Sequence, residues 1–265
     1  MVVVVVVVVV VVYDPDTRLT AFDNLELLVE QIDNASNLES LSLWPPLLST
    51  LNNTSTPPSL RRHAAWVIGT AVQNNPKAQD HLLRHQGIQS LVLRLQQDEY
   101  SVRTKTLYAL GSALNHFPRG VKVFGEVSGW EGFRACCEDV EQGTECVRRV
   151  AFFVSNFLAE EGAQEDTGAV GEIERVGFLE RFVEILGAER YNAEHDVLEK
   201  VRLVPRGKGL MVGVAGGDDA CETRRGKVEG RDSCETQVVV AWTQGMVSGS
   251  IGSESMGGAR GISGI

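Results

Sequence analysis

Three stretches of the 265-residue chain align without gaps: residues 60–76 (LRRHAAWVIGTAVQNNP), 102–118 (VRTKTLYALGSALNHFP) and 147–163 (VRRVAFFVSNFLAEEGA). Each opens on an aliphatic residue followed by an arginine: Arg61, Arg103 and Arg148. Gly69 and Gly111 share one position, where the third copy has Asn156. The copies are offset by 42 and 45 residues. A second element recurs behind each, at Gly87-Ile88 (GIQSLVLRL), Gly129-Trp130 (GWEGFRACC) and Gly177-Phe178 (GFLERFVEIL). A degenerate earlier copy lies in residues 17–34 and 38–51.

Around these copies, apolar residues recur at i, i+3, i+4 and i+7. Leu19, Phe22, Leu25, Leu28, Val29 and Ile32 make one such stripe. Glycine and proline fall between most stripes, as at helix ends. A period in the low forties with two or three helices per unit is the mark of armadillo or HEAT repeats. One helical hairpin or triplet cannot bury its apolar face, so units stack and share a core. The reading is an all-α, armadillo/HEAT-like solenoid of about four repeats over residues 13–203. The matched glycines are expected to let neighbouring helices approach closely, and the concave groove is the expected binding surface.

The two ends differ from this body. Residues 2–12 are eleven valines, too few to span a bilayer as a helix. They lack the basic start and small-residue cleavage site of a signal peptide. Residues 1–12 are read as unfolded: a gene-model artefact or, if real, an aggregation-prone β-former. Residues 204–265 hold 14 of the 27 glycines and are expected to be disordered. Only residues 236–242 (TQVVVAW) read as a strand, without an obvious partner.

The formal net charge of −10 argues against binding nucleic acid or an anionic membrane. All of it lies in the body, and in blocks. Residues 61–122 carry nine bases and three acids, whereas residues 126–199 carry six bases and eighteen acids. Solvated helix faces and a bipolar surface that orients a partner both fit this pattern. Five cysteines without a C-x-x-C pair suit a reducing compartment, and with no export signal the cytoplasm is expected. Vicinal Cys136-Cys137 reads as buried or half-buried thiols.

No phosphate loop, dinucleotide fingerprint or nucleophile elbow is present. His81 and His85 stand at i, i+4, but no third ligand is evident, and they read as a surface pair. The expectation is a protein that is not an enzyme and uses neither cofactor nor metal. Two polar junctions stand out: Asp33-Asn34-Ala35-Ser36-Asn37, and residues 73–79 (QNNPKAQ). Each can be a helix stop and start, or the edge of a groove. Spacing does not choose between these.

Residues 19–48 (LTAFDNLELLVEQIDNASNLESLSLWPPLL), 66–79 (WVIGTAVQNNPKAQ) and 102–110 (VRTKTLYAL) resemble the fungal Fes and mammalian Hsp-binding-protein family. These are armadillo-type nucleotide exchange factors of seventy-kilodalton heat-shock chaperones, and the likeness covers roughly residues 16–200. The resemblance implies a concave face that wraps one lobe of the chaperone's ATPase domain, so that the cleft opens and ADP leaves. It implies groove residues Ala35 and Arg149, with Gln73, Asn74, Asn75, Arg103 and Tyr108 as further candidates. A bulky residue at Ala35 is expected to clash with the partner without unfolding the repeat. A monomer in the cytosol is expected. A general armadillo scaffold without exchange activity is the alternative. Relatives carry a flexible segment where the valines stand, and further helices after residues 196–200 (DVLEK).

Overall fold

The computed structural model describes residues 14–138, 144–159, 168–178, 181–182, 210–215 and 237–242. The described helices, in chain order, are α1 (Pro15–Val29), α2 (Ile32–Ser36), α3 (Trp44–Asn52) and α4 (Pro58–Val72). Next come α5 (Pro76–Arg84), α6 (Gly87–Gln97), α7 (Tyr100–Leu114), α8 (Pro118–Glu126), α9 (Gly129–Cys136), α10 (Thr144–Ala159) and α11 (Ala169–Arg175). Helices α1, α3, α4, α5 and α8 carry proline in their first two positions, where a missing N–H leaves no bond unmade. Asp14 caps α1 by accepting from the amides of Asp16 and Thr17, both at 3.1 Å.

The helices fall into triplets: α2–α3–α4, α5–α6–α7 and α8–α9–α10, each ending on its longest member. The long helices α1, α4, α7 and α10 pack side by side in that order. This is the expected all-α solenoid. Its core runs continuously from Phe22 and Trp44 through Leu60, Ile68 and Leu110 to Phe178 and Phe182. Trp130 anchors the last described unit. Its ring lies 5.1 Å from that of Phe124 and 6.0–6.3 Å from those of Phe133, Phe153, Phe157 and Phe178, mostly edge to face.

The third copy of the second element is displaced by one residue from the sequence alignment. Between the first two helices of a unit the chain passes through a left-handed residue: Gln86 (φ 57°), Ser128 (φ 59°) and Gly177 (φ 70°). The carbonyl of each accepts from the amide four residues on: Ser90, Gly132 and Arg181. Gly177 therefore matches Gln86 and Ser128, and Phe178 stands where Gly87 and Gly129 do. A shared glycine misled the alignment because glycine suits both positions: the left-handed turn and the close packing one residue later.

The tail reading is also corrected. Residues 237–242 do have a partner. Strand β1 (Leu210–Ala215) pairs antiparallel with β2 (Gln237–Trp242), Leu210 opposite Trp242 and Ala215 opposite Gln237. The run LMVGVA was masked by its glycine-rich surroundings. The valine run and the rest of the tail lie outside the described residues.

Units are tied to their neighbours by polar bonds at about the repeat spacing. Arg61 donates to both carboxylate oxygens of Asp98, at 2.8 and 2.6 Å, and to the carbonyls of Thr54 and Thr56. Its side chain is 9% exposed and that of Asp98 only 2%. Gln79 Nε2 donates to the carbonyls of Ser112 and Asn115 at the end of α7. Arg181 does the same to Cys137, just past α9. These bonds satisfy helix-terminal carbonyls that burial would otherwise strand. On the surface, Glu39 meets His85 at 2.7 Å and Arg84 at 3.4 Å, and Asp80 bridges Arg84 to Arg119.

The histidine pair is not a surface pair. His81 is buried among core residues, and only His85 reaches solvent and Glu39. Burial lowers the His81 pKa, with Arg84 and Lys77 pushing the same way and Glu39 and Asp80 opposing. The folded chain therefore disfavours its protonated form, while the unfolded chain takes up the proton near the ordinary value of about 6.5. Stability from His81 is full above that pH and is lost as pH falls through the folded value. Thermal melts should show a midpoint that declines below about pH 6.5, and His81→Leu should flatten that decline. Asp98→Ala, which strands a buried guanidinium, should cost about 3–5 kcal/mol in urea unfolding. The double variant Arg61→Met/Asp98→Leu should recover part of it.

Candidate functional site

The long helices present one face as a row of aromatic, amide and cationic side chains. Its geometry follows from Gly69 on α4. A Cβ there would sit 2.6 Å from Tyr108 Cε1 and 3.0 Å from the Ala109 Cα. Without one, α7 closes on α4 and the Tyr108 ring fills the gap. The Tyr108 hydroxyl then has two acceptors for its single proton, Gln73 Oε1 at 3.2 Å and Thr70 Oγ1 at 3.3 Å. Thr70 donates its own proton to Glu26 Oε1 at 2.8 Å. A polar chain Glu26–Thr70–Tyr108–Gln73 thus crosses α1, α4 and α7. Glu26 is buried, which makes Thr70 its structural support.

One turn before Tyr108, Lys105 Nζ lies 4.1 Å from the centroid of the Trp66 ring and 5.9 Å from that of Tyr108. Burial lowers the Lys105 pKa, and Arg62 and Arg149 push it the same way, while Glu26 opposes them. Cations from α4 and α10 therefore lie within electrostatic reach of Lys105 on α7. Arg149 Nε lies 2.6 Å from Glu145 Oε1, and the same carboxylate meets Arg148. A cleft of about 300 Å³ opens between α7 and α10, with Gln73, Asn74, Tyr108, Gly111, Arg149 and Asn156 among its lining. Phe152, 50% exposed, stands on the same cleft.

Of the sequence candidates, Gln73, Asn74, Tyr108 and Arg149 meet in this groove. The other three sit elsewhere. Ala35 is 1% exposed in the core, so a bulky side chain there would disrupt packing before meeting any partner, contrary to the expectation. Asn75 is buried and caps α5 by accepting from the Ala78 amide at 3.2 Å. Its Nδ2 reaches the Ile32 carbonyl and Ser36 Oγ, both at 3.4 Å. The two polar junctions are thus one packed contact, with Ala35 inside it. Arg103 points away from the groove, its Nη2 3.4 Å from Cys136 Sγ. The sequence reading missed Arg62, Trp66, Lys105 and Phe152. The available signal was that Trp66, Tyr108 and Phe153 share one repeat position.

Cys136, Cys137 and Cys146 are buried thiols, as expected for the vicinal pair, and burial raises the Cys137 pKa beyond reach of neutral pH. Among the described residues no three His, Cys, Asp or Glu side chains form a metal cluster, and no helix is long and apolar enough to cross a membrane.

The model of the SIL1/FES1/HPBP1 C-terminal domain matches residues 34–178, and that of nucleotide exchange factor Fes1 matches residues 7–38. Curated relatives carry the name Hsp70 nucleotide exchange factor FES1 or fes1. The Mycosarcoma maydis protein is 38% identical over 56% of this chain and 36% of its own length. The Schizosaccharomyces pombe protein is 40% identical over 55% of this chain and 50% of its own. The Candida glabrata protein is 33% identical over 70% and 63%. The chain thus spans about a third to two thirds of the length of these relatives. Among solved structures, a designed armadillo repeat protein in complex with a (KR)4 peptide has TM-score 0.62 at 15% identity, covering 75% of this chain and 78% of that one. An engineered structural-genomics protein reaches 0.63 at 16% identity, over 75% and 77%. At such identity the likeness carries the fold alone.

The matched glycines should respond to alanine with opposite signs. Gly69→Ala must displace Tyr108 or α7 and should cost about 1–3 kcal/mol. At Gly111 a Cβ meets nothing within 4 Å among the described residues. Gly111→Ala should therefore add about 0.5–1 kcal/mol through helix propensity alone. Urea unfolding of the two variants checks both signs.

Proposed function

The chain belongs to the SIL1/FES1/HPBP1 family, and from that premise we propose that it is a nucleotide exchange factor for a cytosolic seventy-kilodalton heat-shock chaperone. The single observation that carries this reading is the groove across α1, α4, α7 and α10. It offers Arg62, Lys105 and Arg149 as cations and Trp66, Tyr108 and Phe152 as broad apolar contacts across the long helices. Charged anchors beside aromatic ones are what a specific protein interface needs. The role is assigned to residues 13–203, acting as a monomer.

The factor performs no chemistry. It grips the chaperone's ATPase domain most tightly when the nucleotide cleft is open, and that difference in affinity shifts the population toward the open state. ADP and the factor then oppose one another's binding by the same factor, because coupling between two sites is reciprocal. Arg149 is the central anchor, since a guanidinium offers a carboxylate two parallel bonds where lysine offers a point charge. Gln73 and Asn74 supply amide contacts at the groove's edge.

Stopped-flow release of labelled ADP from the chaperone's ATPase domain tests this. The wild-type chain should accelerate release. Arg149→Ala should need roughly 10- to 100-fold more protein for the same effect, with Arg149→Lys in between. No acceleration and no binding by the wild-type chain would overturn the reading.

A further inference from the structure

Gly69 and Gly111 occupy the same repeat position, yet only Gly69 is filled from outside. Tyr108 covers Gly69, whereas nothing comes within 4 Å of a Cβ at Gly111 among the described residues. A glycine in the middle of a helix lowers stability relative to alanine, and packing gives no reason for this one. Its consequence is the cleft between α7 and α10. At about 300 Å³ the cleft is at the lower limit of small-molecule sites, with room for one large side chain. Phe152 stands half exposed on it, and the Asn156 amide lines it.

Among the described residues, the cleft carries the guanidinium of Arg149 on its lining. Lys105 lies within electrostatic reach of Arg149, Arg62 and Glu26, and Glu145 stands beside Arg149. Glu26 is buried and already accepts from Thr70, and Glu145 is shared between two arginines. An apolar slot with a guanidinium on its rim complements an apolar side chain with a carboxylate beside it.

We propose that the α7/α10 cleft seats one apolar side chain of the chaperone's ATPase domain, entering beside Gly111 and Phe152, while an adjacent carboxylate of that domain meets Arg149 and Lys105. The proposal rests on the exchange-factor reading and names the chemistry of the surface that the groove grips. Arg149 and Lys105 hold the carboxylate from two helices, so the seat also fixes the spacing of α7 and α10 in the complex.

The full chain carrying Gly111→Ala, Gly111→Leu or Lys105→Gln is titrated against the chaperone's ATPase domain at several salt concentrations, with thermal melts in parallel. Losses graded by size are expected at Gly111, reaching ten-fold or more in Kd for leucine, with a Tm no lower than the wild type's. Lys105→Gln should weaken binding and make it less steeply salt-dependent. Wild-type affinity in Gly111→Leu at an undiminished Tm overturns the proposal. A lowered Tm with unchanged affinity overturns it too, because the cleft is then filled by this chain's own residues. So does a self-association in sedimentation that Gly111→Leu abolishes, which assigns the cleft to a second copy. A wild-type chain that does not bind the ATPase domain at all removes the exchange-factor reading itself. That result is distinct from a variant that binds as well as the wild type.

Discussion

The approach of α7 to α4 at Gly69 is the constraint from which the groove follows. A helix pair normally packs through interdigitating side chains at 8–10 Å between axes. Here one side chain is absent, and the Tyr108 ring occupies its place. That position brings the phenol to Thr70 and Gln73, and through Thr70 to the buried Glu26. One turn away it leaves Lys105 over Trp66. None of these contacts is local in sequence, and each would be lost by a small shift of one helix.

Charge divides between two tasks. In the basic stretch of residues 61–122, Arg61 and Arg94 converge on the buried Asp98, and Arg84 and Arg119 on Asp80. These tie one unit to the next. Arg62 and Lys105 face the groove instead, and Arg149 joins them from the acidic stretch. A block of like charge along the sequence is therefore not a block on the surface. The repeat distributes it between the seams and the groove according to helix face.

Much of this was legible in the residues. The 42-residue offset, the proline starts and the apolar stripes fix the helices, because each is a local pattern whose partner lies a known distance away. Residues 73–75 and 33–37 stood out correctly as special. What the pattern could not tell was which of their side chains turn inward. Ala35 sits in a five-residue helix with too few turns to define a face, and Asn75 is held inward by bonds to that same helix. Lys105 and Trp66 carry no motif, since their contact exists only after α4 and α7 are laid side by side. Gly177 shows the opposite failure, a residue so permissive that it aligned at the wrong position. For β1, the interior Gly213 and glycine-rich flanks diluted an otherwise apolar strand.

The contrast between Gly69 and Gly111 also bears on how the solenoid carries load. Dispersion forces fall steeply with a gap of even 1 Å or less, so stiffness between two helices depends on how fully their surfaces touch. The α4–α7 seam is closed by Tyr108, while the α7–α10 seam is open on the groove side. A bending force applied along the array is therefore borne unequally: the first seam acts as a fixed joint, and compliance concentrates at the second. The unit that α10 ends is therefore less firmly braced than the base formed by α1, α4 and α7.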